Sequence, residues 1–412
     1  MVGKASLIVV TGFSILFLTV VQNFGSITNR AVDNYVDYHQ KTISRNIAVS
    51  GANIGANIKY RDPYYIGDFP NISFQGGKID LRIQNNSIMA IGSYKGMKDT
   101  VKIVLEKTMF SDFAYYSMWE KDSPTGGPIW WTNKDTVNGP FHTQDDLRAY
   151  RHPVFKGEIT SHKGSLIYYD NKWLDKPYIY GEYKPGYDLE IPTGSVDNLE
   201  GPANSNGLYF TGHDTVYLNF DKDTLRYRYS YSGIDSVLYL PARAPNGVIF
   251  AKDAVVRLKG VVRGQYTLGV SAPGSGSTVN KSKGKVFLDD DIVYKSNPLI
   301  YPDSTDLFGI CAENNIWITK NSANNSNINI NAALFSETEG FGAEYYDTRP
   351  VSGDINLLGG LSQYWRKPVG TFSGGVIQHG FTKQYNYDYR FGNVSPPYFP
   401  GTGGFKIVSW LE

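Results

Sequence analysis

The chain has 412 residues, enough for two or three ordinary domains or for one elongated one. Its 40 lysines and arginines nearly cancel 39 aspartates and glutamates, which removes the electrostatic case for a nucleic-acid partner. A single cysteine, Cys311, excludes an internal disulfide framework and any cysteine-rich zinc site, and is expected as a small buried apolar residue. Heavy use of tyrosine (31) and glycine (43), with polar turn residues throughout beyond residue 60, favours many short strands over a helical body.

The first predicted element is Ala5–Val21, an uncharged apolar stretch at the lower limit for a membrane-spanning helix. A cleaved signal peptide is the competing reading, although "FGSIT" (Phe24–Thr28) offers no A-x-A site. Lys4 precedes the stretch and no basic residue follows until Arg30, so the positive-inside bias puts the N-terminus in the cytoplasm and the body outside. Gly25 is expected to loosen the helix just beyond the bilayer. Ile27 to Tyr60 contains no proline and keeps helical spacing, with Ile43, Ile47, Ile54 and Ile58 in one stripe. Beside that stripe Ala48, Gly51, Ala52, Gly55 and Ala56 share one helix face. Each helical glycine costs about 1 kcal/mol relative to alanine, so the face is expected to seat something very close. The candidates are a neighbouring stalk helix, the chain's own solenoid, or its own globular domain.

Behind the basic N-terminus and the apolar helix, "SRNIAVSGAN" (Ser44–Asn53) resembles the matching stretch of PilX-type minor pilins of the type IV pilus. The resemblance implies an inner-membrane anchor through Ala5–Val21, pilin-like subunits or self-association as partners, and a place in the bacterial cell envelope or an extracellular filament. The processing site departs from that family: Gly3 is followed by Lys4, and Ile8 stands where the family has a glutamate. A permanently tethered relative therefore stands beside a processed filament subunit as an expectation.

From Arg61 onward helical periodicity disappears, and Lys78–Ile83, Thr215–Phe220 and Asp253–Val262 read as strands. Gly139–Ser161 has very short strands with tight polar corners, and after Asn246 roughly one strand recurs every seven to ten residues. Gly260, Gly264, Gly269, Asn314, Asn315, Gly359 and Gly360 sit where a coiled chain would turn corners. The expected division is a membrane and stalk helix over 1–60, a β-rich entry region over 61–138, a β-solenoid over 139–384 and a C-terminal cap over 385–412.

"GPFHTQDDL" (Gly139–Leu147), "DLFGICAENNIWITK" (Asp306–Lys320), "GDINLLGGLSQYWRKPVGTF" (Gly353–Phe372), "YNYDYRF" (Tyr385–Phe391) and "PPYFP" (Pro396–Pro400) together resemble the C-terminal domain of an uncharacterised bacterial family often joined to PilX-like N-termini. That resemblance implies a right-handed parallel β-helix, or β-solenoid, carried on a pilin-like helix, with no established catalytic activity. "PPYFP" and the short strand ending at Trp410 are expected to cap the last coil.

The densest carboxylate cluster is Asp289–Asp291, of which Asp289 and Asp291 share a strand face. A secreted β-helix enzyme acting on polysaccharide would hold calcium there; a solvated strand edge is the plainer reading. His142 beside Asp145 and Asp146 invites an acid–base reading, but no nucleophile elbow or paired-histidine motif accompanies it, and a structural histidine is favoured. His152 and His162 fit successive strands rather than one metal centre. Trp130, Trp131, Tyr364, Trp365 and Arg366 are candidate surface contacts for a glycan or a protein, the glycan-binding adhesin being a further alternative. The plainer reading of Arg366 is that, with Gln363 and Tyr364, it ties one coil to the "YNYDYR" segment (Tyr385–Arg390), with Asp388 as its ion-pair partner. No catalytic residue, cofactor or metal ligand is assigned.

Overall fold

The computed structural model describes residues 2–63, 65–274 and 278–412. It is mainly β with a long N-terminal helix, and divides into two compact units: Met1–Lys107 with Gly403–Glu412, and Thr108–Thr402. The helix ends at Arg61, and positions 138/139 and 384/385 lie inside the second unit.

In the first unit α1 (Val2–Arg61) runs unbroken through Gly25, about 90 Å at 1.5 Å per residue. Strands β1 (Gly67–Phe74), β2 (Gly77–Ile83), β3 (Ser87–Tyr94) and β4 (Met97–Met109) form an antiparallel meander. Alternation sends Ile79, Leu81, Ile83, Ile88, Ala90, Val101, Ile103 and Leu105 to one face, where they pack with Ile47, Ala48 and Ala52 of α1. The last strand, Gly401–Leu411, adds to β4 at the sheet's edge. The terminal strand expected to cap the last coil is therefore part of a different sheet; its pairing partner lies some 300 residues upstream, beyond what local pattern can reveal.

The second unit is built on parallel ladders. Its first chain segment contributes β5 (Tyr115–Trp119), β6 (Thr136–Asn138), β7 (Phe141–Thr143), β8 (Leu147–Ala149), β9 (Val154–Phe155), β10 (Ile159–Ser161), β11 (Leu166–Tyr168), β12 (Tyr178–Ile179) and β13 (Tyr183–Pro185). Its second, from Leu208 to Tyr387, stacks on the first, because Val351–Trp365 pairs with β5 and Val376–Tyr387 pairs with β6. Spatial order thus differs from chain order. The late strands precede β5 in the stack, and residues 186–207 connect β13 at one end with Leu208–Phe210 at the other.

Equivalent positions line up in columns. One reads Leu208, Ile249, Leu268, Ile310, Leu334, Leu361, Tyr115, Phe141, Ile159 and Tyr183. A second reads Val216, Val256, Val286, Ile316 and Phe341. A third reads Ile292, Ile330, Leu357, Tyr385, Val137, Phe155 and Ile179. All are buried except the column ends Leu208, Tyr183 and Ile179. Each buried aliphatic member contributes about 1.5–3 kcal/mol by leaving water, which gives the stack its register. At the Leu208 end the sheet continues into an antiparallel meander, Thr215–Lys222 with Thr224–Arg228 and Ser236–Tyr239. At the other end, among the described residues, β11 pairs with β8, β12 with β9 and β13 with β10 only.

Candidate functional site

The small-residue face of α1 lies on its own sheet. Ala48, Gly51, Ala52 and Gly55 are buried and Ala56 is half-buried. A Cβ added at Gly51 would sit 2.6 Å from Ile79 Cγ2, and one at Gly55 would sit 2.5 Å from Ile88 Cγ2. The sheet answers with its own glycine: a Cβ at Gly92 would run into the backbone oxygen of Ser44 and come to 2.5 Å from the Ala48 nitrogen. The close neighbour of this face is the β2–β3 surface. Of the expected isoleucine stripe Ile47 is buried, Ile43 and Ile58 are half-buried and Ile54 is exposed. The N-terminal part of the same helix is the reverse case. Leu7–Val10, Phe13, Ile15–Leu18, Val20 and Val21 are all exposed, and α1 contains a segment long and apolar enough to cross a membrane, with mean hydropathy 2.0 and none of it buried.

The five candidate contact residues separate. Trp131 and Arg366 are buried, not surface groups. Arg366 Nη1 donates to Glu120 Oε2 at 2.5 Å, and its guanidinium carbon lies 3.9 Å from the Trp131 ring centroid. Glu120 also accepts from Tyr115 Oη (3.0 Å), Ser117 Oγ (2.6 Å) and Trp131 Nε1 (3.0 Å), so its lone pairs are met in full. Next to it, Lys383 Nζ donates to both oxygens of Asp135 at 2.9 Å and lies 5.5 Å from the same indole. Burial, then Glu120, push the Tyr115 phenol well above its ordinary value; burial lowers Lys383 against the pull of Asp135. Arg366 does not meet Asp388, which instead pairs with Arg390 at 2.6 Å. The partner differs because the Trp365–Trp119 register places Arg366 beside the buried residues that follow β5.

Trp365 and Tyr364 remain half-exposed, with Trp119 as a partner that sequence alone did not single out. Trp119 and Trp365 stack at 5.8 Å and 21°, Tyr364 meets Trp365 edge-on at 5.3 Å, and the Lys121 and Lys163 ammonium groups each lie 5.1 Å from the Trp119 ring. Trp130, also half-exposed, leaves this strip and meets Tyr169 at 5.1 Å.

The remaining candidates are engaged structurally. Asp289 receives Arg257 Nε at 2.9 Å and Thr319 Oγ1 at 2.8 Å, while Asp291 receives both the backbone and side-chain nitrogens of Asn329 at 2.8 Å. His142 is buried between Thr160 and Gln144, and burial lowers it to about 4, a neutral ring near neutral pH. Asp145 receives Lys163 at 2.5 Å and Arg148 at 3.1 Å. His152 bonds the Lys176 carbonyl, and His162 lies 3.7 Å from Asp188. Among the described residues no group of three or more His, Cys, Asp or Glu side chains is placed to hold a metal ion. Cys311 is buried. The connection over 186–207 is fastened by Gln144 Nε2 to Asp188 (2.6 Å) and by the Val196 N–H to Glu337 (2.8 Å).

A mainly β protein with a long apolar N-terminal helix is the class these observations define. No protein-family model and no curated protein matches the chain, so neither expected resemblance is carried by a family match. Among solved structures, the competence-associated pilin ComZ from Thermus thermophilus aligns over 90% of this chain and 97% of that one, with a TM-score of 0.32 and 11% identity. A likeness of that degree carries no argument.

Proposed function

We propose that the chain is a membrane-anchored or pilus-associated structural protein of the cell envelope, a pilin-like helix displaying a β-solenoid. One observation carries the reading: a single unbroken helix is exposed and apolar in its first part and locked glycine-tight to its own sheet in its last. An exposed apolar helix needs lipid or sister helices around it, and the sheet fixes the direction in which it leaves the unit. The parallel ladders support a solenoid of right-handed sense, the hand that parallel crossover connections almost always take. The half-exposed Trp119–Trp365 strip with Lys121 and Lys163 belongs to the displayed surface.

The test compares the full chain with one lacking residues 1–30, in membranes and in sheared extracellular material, with the N-terminus read by mass spectrometry. Retention of the full chain in either fraction, lost on truncation, is the expected result. A cut near Gly25 with soluble release of the body would overturn the reading.

A further inference from the structure

A lysine is buried against an aspartate at the seam where the second chain segment of the parallel stack meets the first. Gln384 pairs with Thr136 across that seam, so Lys383 and Asp135 stand opposite each other one position earlier, 248 residues apart in the chain. Their side chains are 6% and 0% exposed. The other lysine–carboxylate pairs among the described residues are more open or shared. Lys367 is 11% exposed and shares Glu339 with Lys281, and the remaining paired lysines are at least 19% exposed.

The pair is held as two reactants are held. Lys383 Nζ lies 2.9 Å from both Asp135 oxygens, so the carboxyl carbon between them is within about 3.3 Å of the nitrogen, the spacing of groups poised to react. Asp135 Oδ2 also accepts the Thr132 N–H at 2.8 Å, a donor aimed at the oxygen on which charge gathers when the nitrogen attacks. Around Nζ stand the rings of Trp131, 5.5 Å away, and Phe372, 6.0 Å away. Keeping two charges between such walls is costly, and the Arg366–Glu120 ion pair already occupies the same interior. Burial, with Arg366 adding to it, holds Lys383 below the ordinary lysine range against the pull of Asp135, which favours the neutral amine that a nucleophile must be. One neutral amide removes both charges at once, and an interior that excludes water protects it from hydrolysis.

We propose that Lys383 and Asp135 condense into an isopeptide bond, a self-made covalent tie between the two chain segments of the stack. The ammonium first passes one proton to Asp135 Oδ1 across their hydrogen bond. The amine attacks Cγ, the N–C bond forms, and the Cγ–Oδ2 π electrons move onto Oδ2, which the Thr132 N–H holds. A second proton then goes from Nζ to Oδ1, the C–Oδ1 bond breaks with its electron pair, and water leaves as Oδ2 regains its double bond. The three ammonium hydrogens become one on the amide and two in water. Nothing is oxidised or reduced, and no co-reactant is needed. The inference stands on the second unit alone and is independent of the membrane reading.

The test is the mass of the full chain, purified in detergent, unfolded and measured by mass spectrometry, with the N-terminus read from its first peptide. The expected mass is one water, about 18 Da, below that of the sequence, and a branched tryptic peptide joins the segments around Asp135 and Lys383. Lys383→Met and Asp135→Ala are expected to keep the full mass. Three results would overturn the proposal: a native chain with no loss even after days at neutral pH, a loss that maps to other residues, or a loss that persists in Lys383→Met. Peptide mapping of the native chain locates the bond even where a variant fails to fold.

Discussion

Gly92→Ala tests whether the α1 face is as tightly seated as its geometry requires. The new methyl meets the Ser44 oxygen and the Ala48 nitrogen, backbone atoms that no rotamer change can move, so the helix itself must lift. Overpacking of this kind costs about 1–3 kcal/mol, and with a rigid obstacle the upper end applies. Replacing glycine by alanine in a strand returns roughly 0.5–1 kcal/mol, leaving a net loss of about 2 kcal/mol. Gly51→Ala is the control. Its obstacles are side-chain atoms of two strands, Ile79 Cγ2 at 2.6 Å and the Ala90 Cβ at 3.0 Å, rather than helix backbone, and the helix gains about 1 kcal/mol, so its net loss is smaller, roughly 0–2 kcal/mol. Hydrogen exchange of the amides from residue 44 to 59 in the detergent-solubilised full chain reads the effect locally, with amides of the parallel stack as internal reference. A loss of about 2 kcal/mol speeds exchange through opening roughly 30-fold. Unchanged exchange in Gly92→Ala, or a larger effect from Gly51→Ala, would refute the reasoning.

Glu120→Gln leaves the buried Arg366 charge without its partner and is expected to destabilise the second unit by about 3–5 kcal/mol, lowering its Tm by on the order of 10 °C. The double change Glu120→Met/Arg366→Met removes both charges and is expected to cost markedly less; a double variant as unstable as the single one would count against the charge argument. His142, held near 4 against about 6.5 unfolded, contributes stability that is complete above pH 6.5 and is lost as pH falls toward 4, roughly 3 kcal/mol in all. Glu313, pushed by burial to about 7, acts in the opposite sense, its contribution present below pH 4.5 and lost as pH rises through 7. Denaturant midpoints across pH 4–7.5 should therefore flatten on the acid side in His142→Gln and rise at neutral pH in Glu313→Gln. Parallel curves for both variants and the native chain would show that neither group titrates as its burial implies.

What the sequence disclosed follows from the range of the interaction behind each signal. The α1 face was legible because small residues at helical spacing are a local pattern, and so were the alternating strands Thr215–Lys222 and Val255–Val262. The identity of the neighbour was not, since Gly92 lies four dozen residues from Ser44 and matches it only once the meander is folded. Trp131 carries the local pattern of a surface contact, and Arg366 that of a tie to Asp388 rather than to Glu120. Their burial depends on Glu120, more than 240 residues from Arg366 in sequence, and a lone glutamate in "MWEKD" carries no local mark of that role. The same range problem hid the inverted order of the stack. No local pattern in Leu361–Trp365 announces that its partner strand is Tyr115–Trp119, upstream rather than downstream.

The second unit is an insertion in the first. The sheet of the first unit contains β4, which ends at Met109, and the strand that begins at Gly401, paired side by side. The hydroxyls of Thr108 and Thr402 touch, and the Thr402 hydroxyl also reaches the Thr108 carbonyl at 3.2 Å. The chain therefore leaves and re-enters at one place, the arrangement in which an inserted domain perturbs its host least. Replacing residues 110–400 by a short glycine-containing turn should leave α1 and its sheet folded, because a loop that short is cheaper to close than the native excursion and no core side chain of the sheet comes from the removed segment. The measurement is the exchange protection of amides 44–59 in detergent, compared with the full chain. Protection retained in the short chain would make the anchor a self-sufficient module, able to hold whatever is inserted between its last two strands. Protection lost would mean that the glycine-tight seat of the helix depends on the inserted unit, and that anchor and body fold as one.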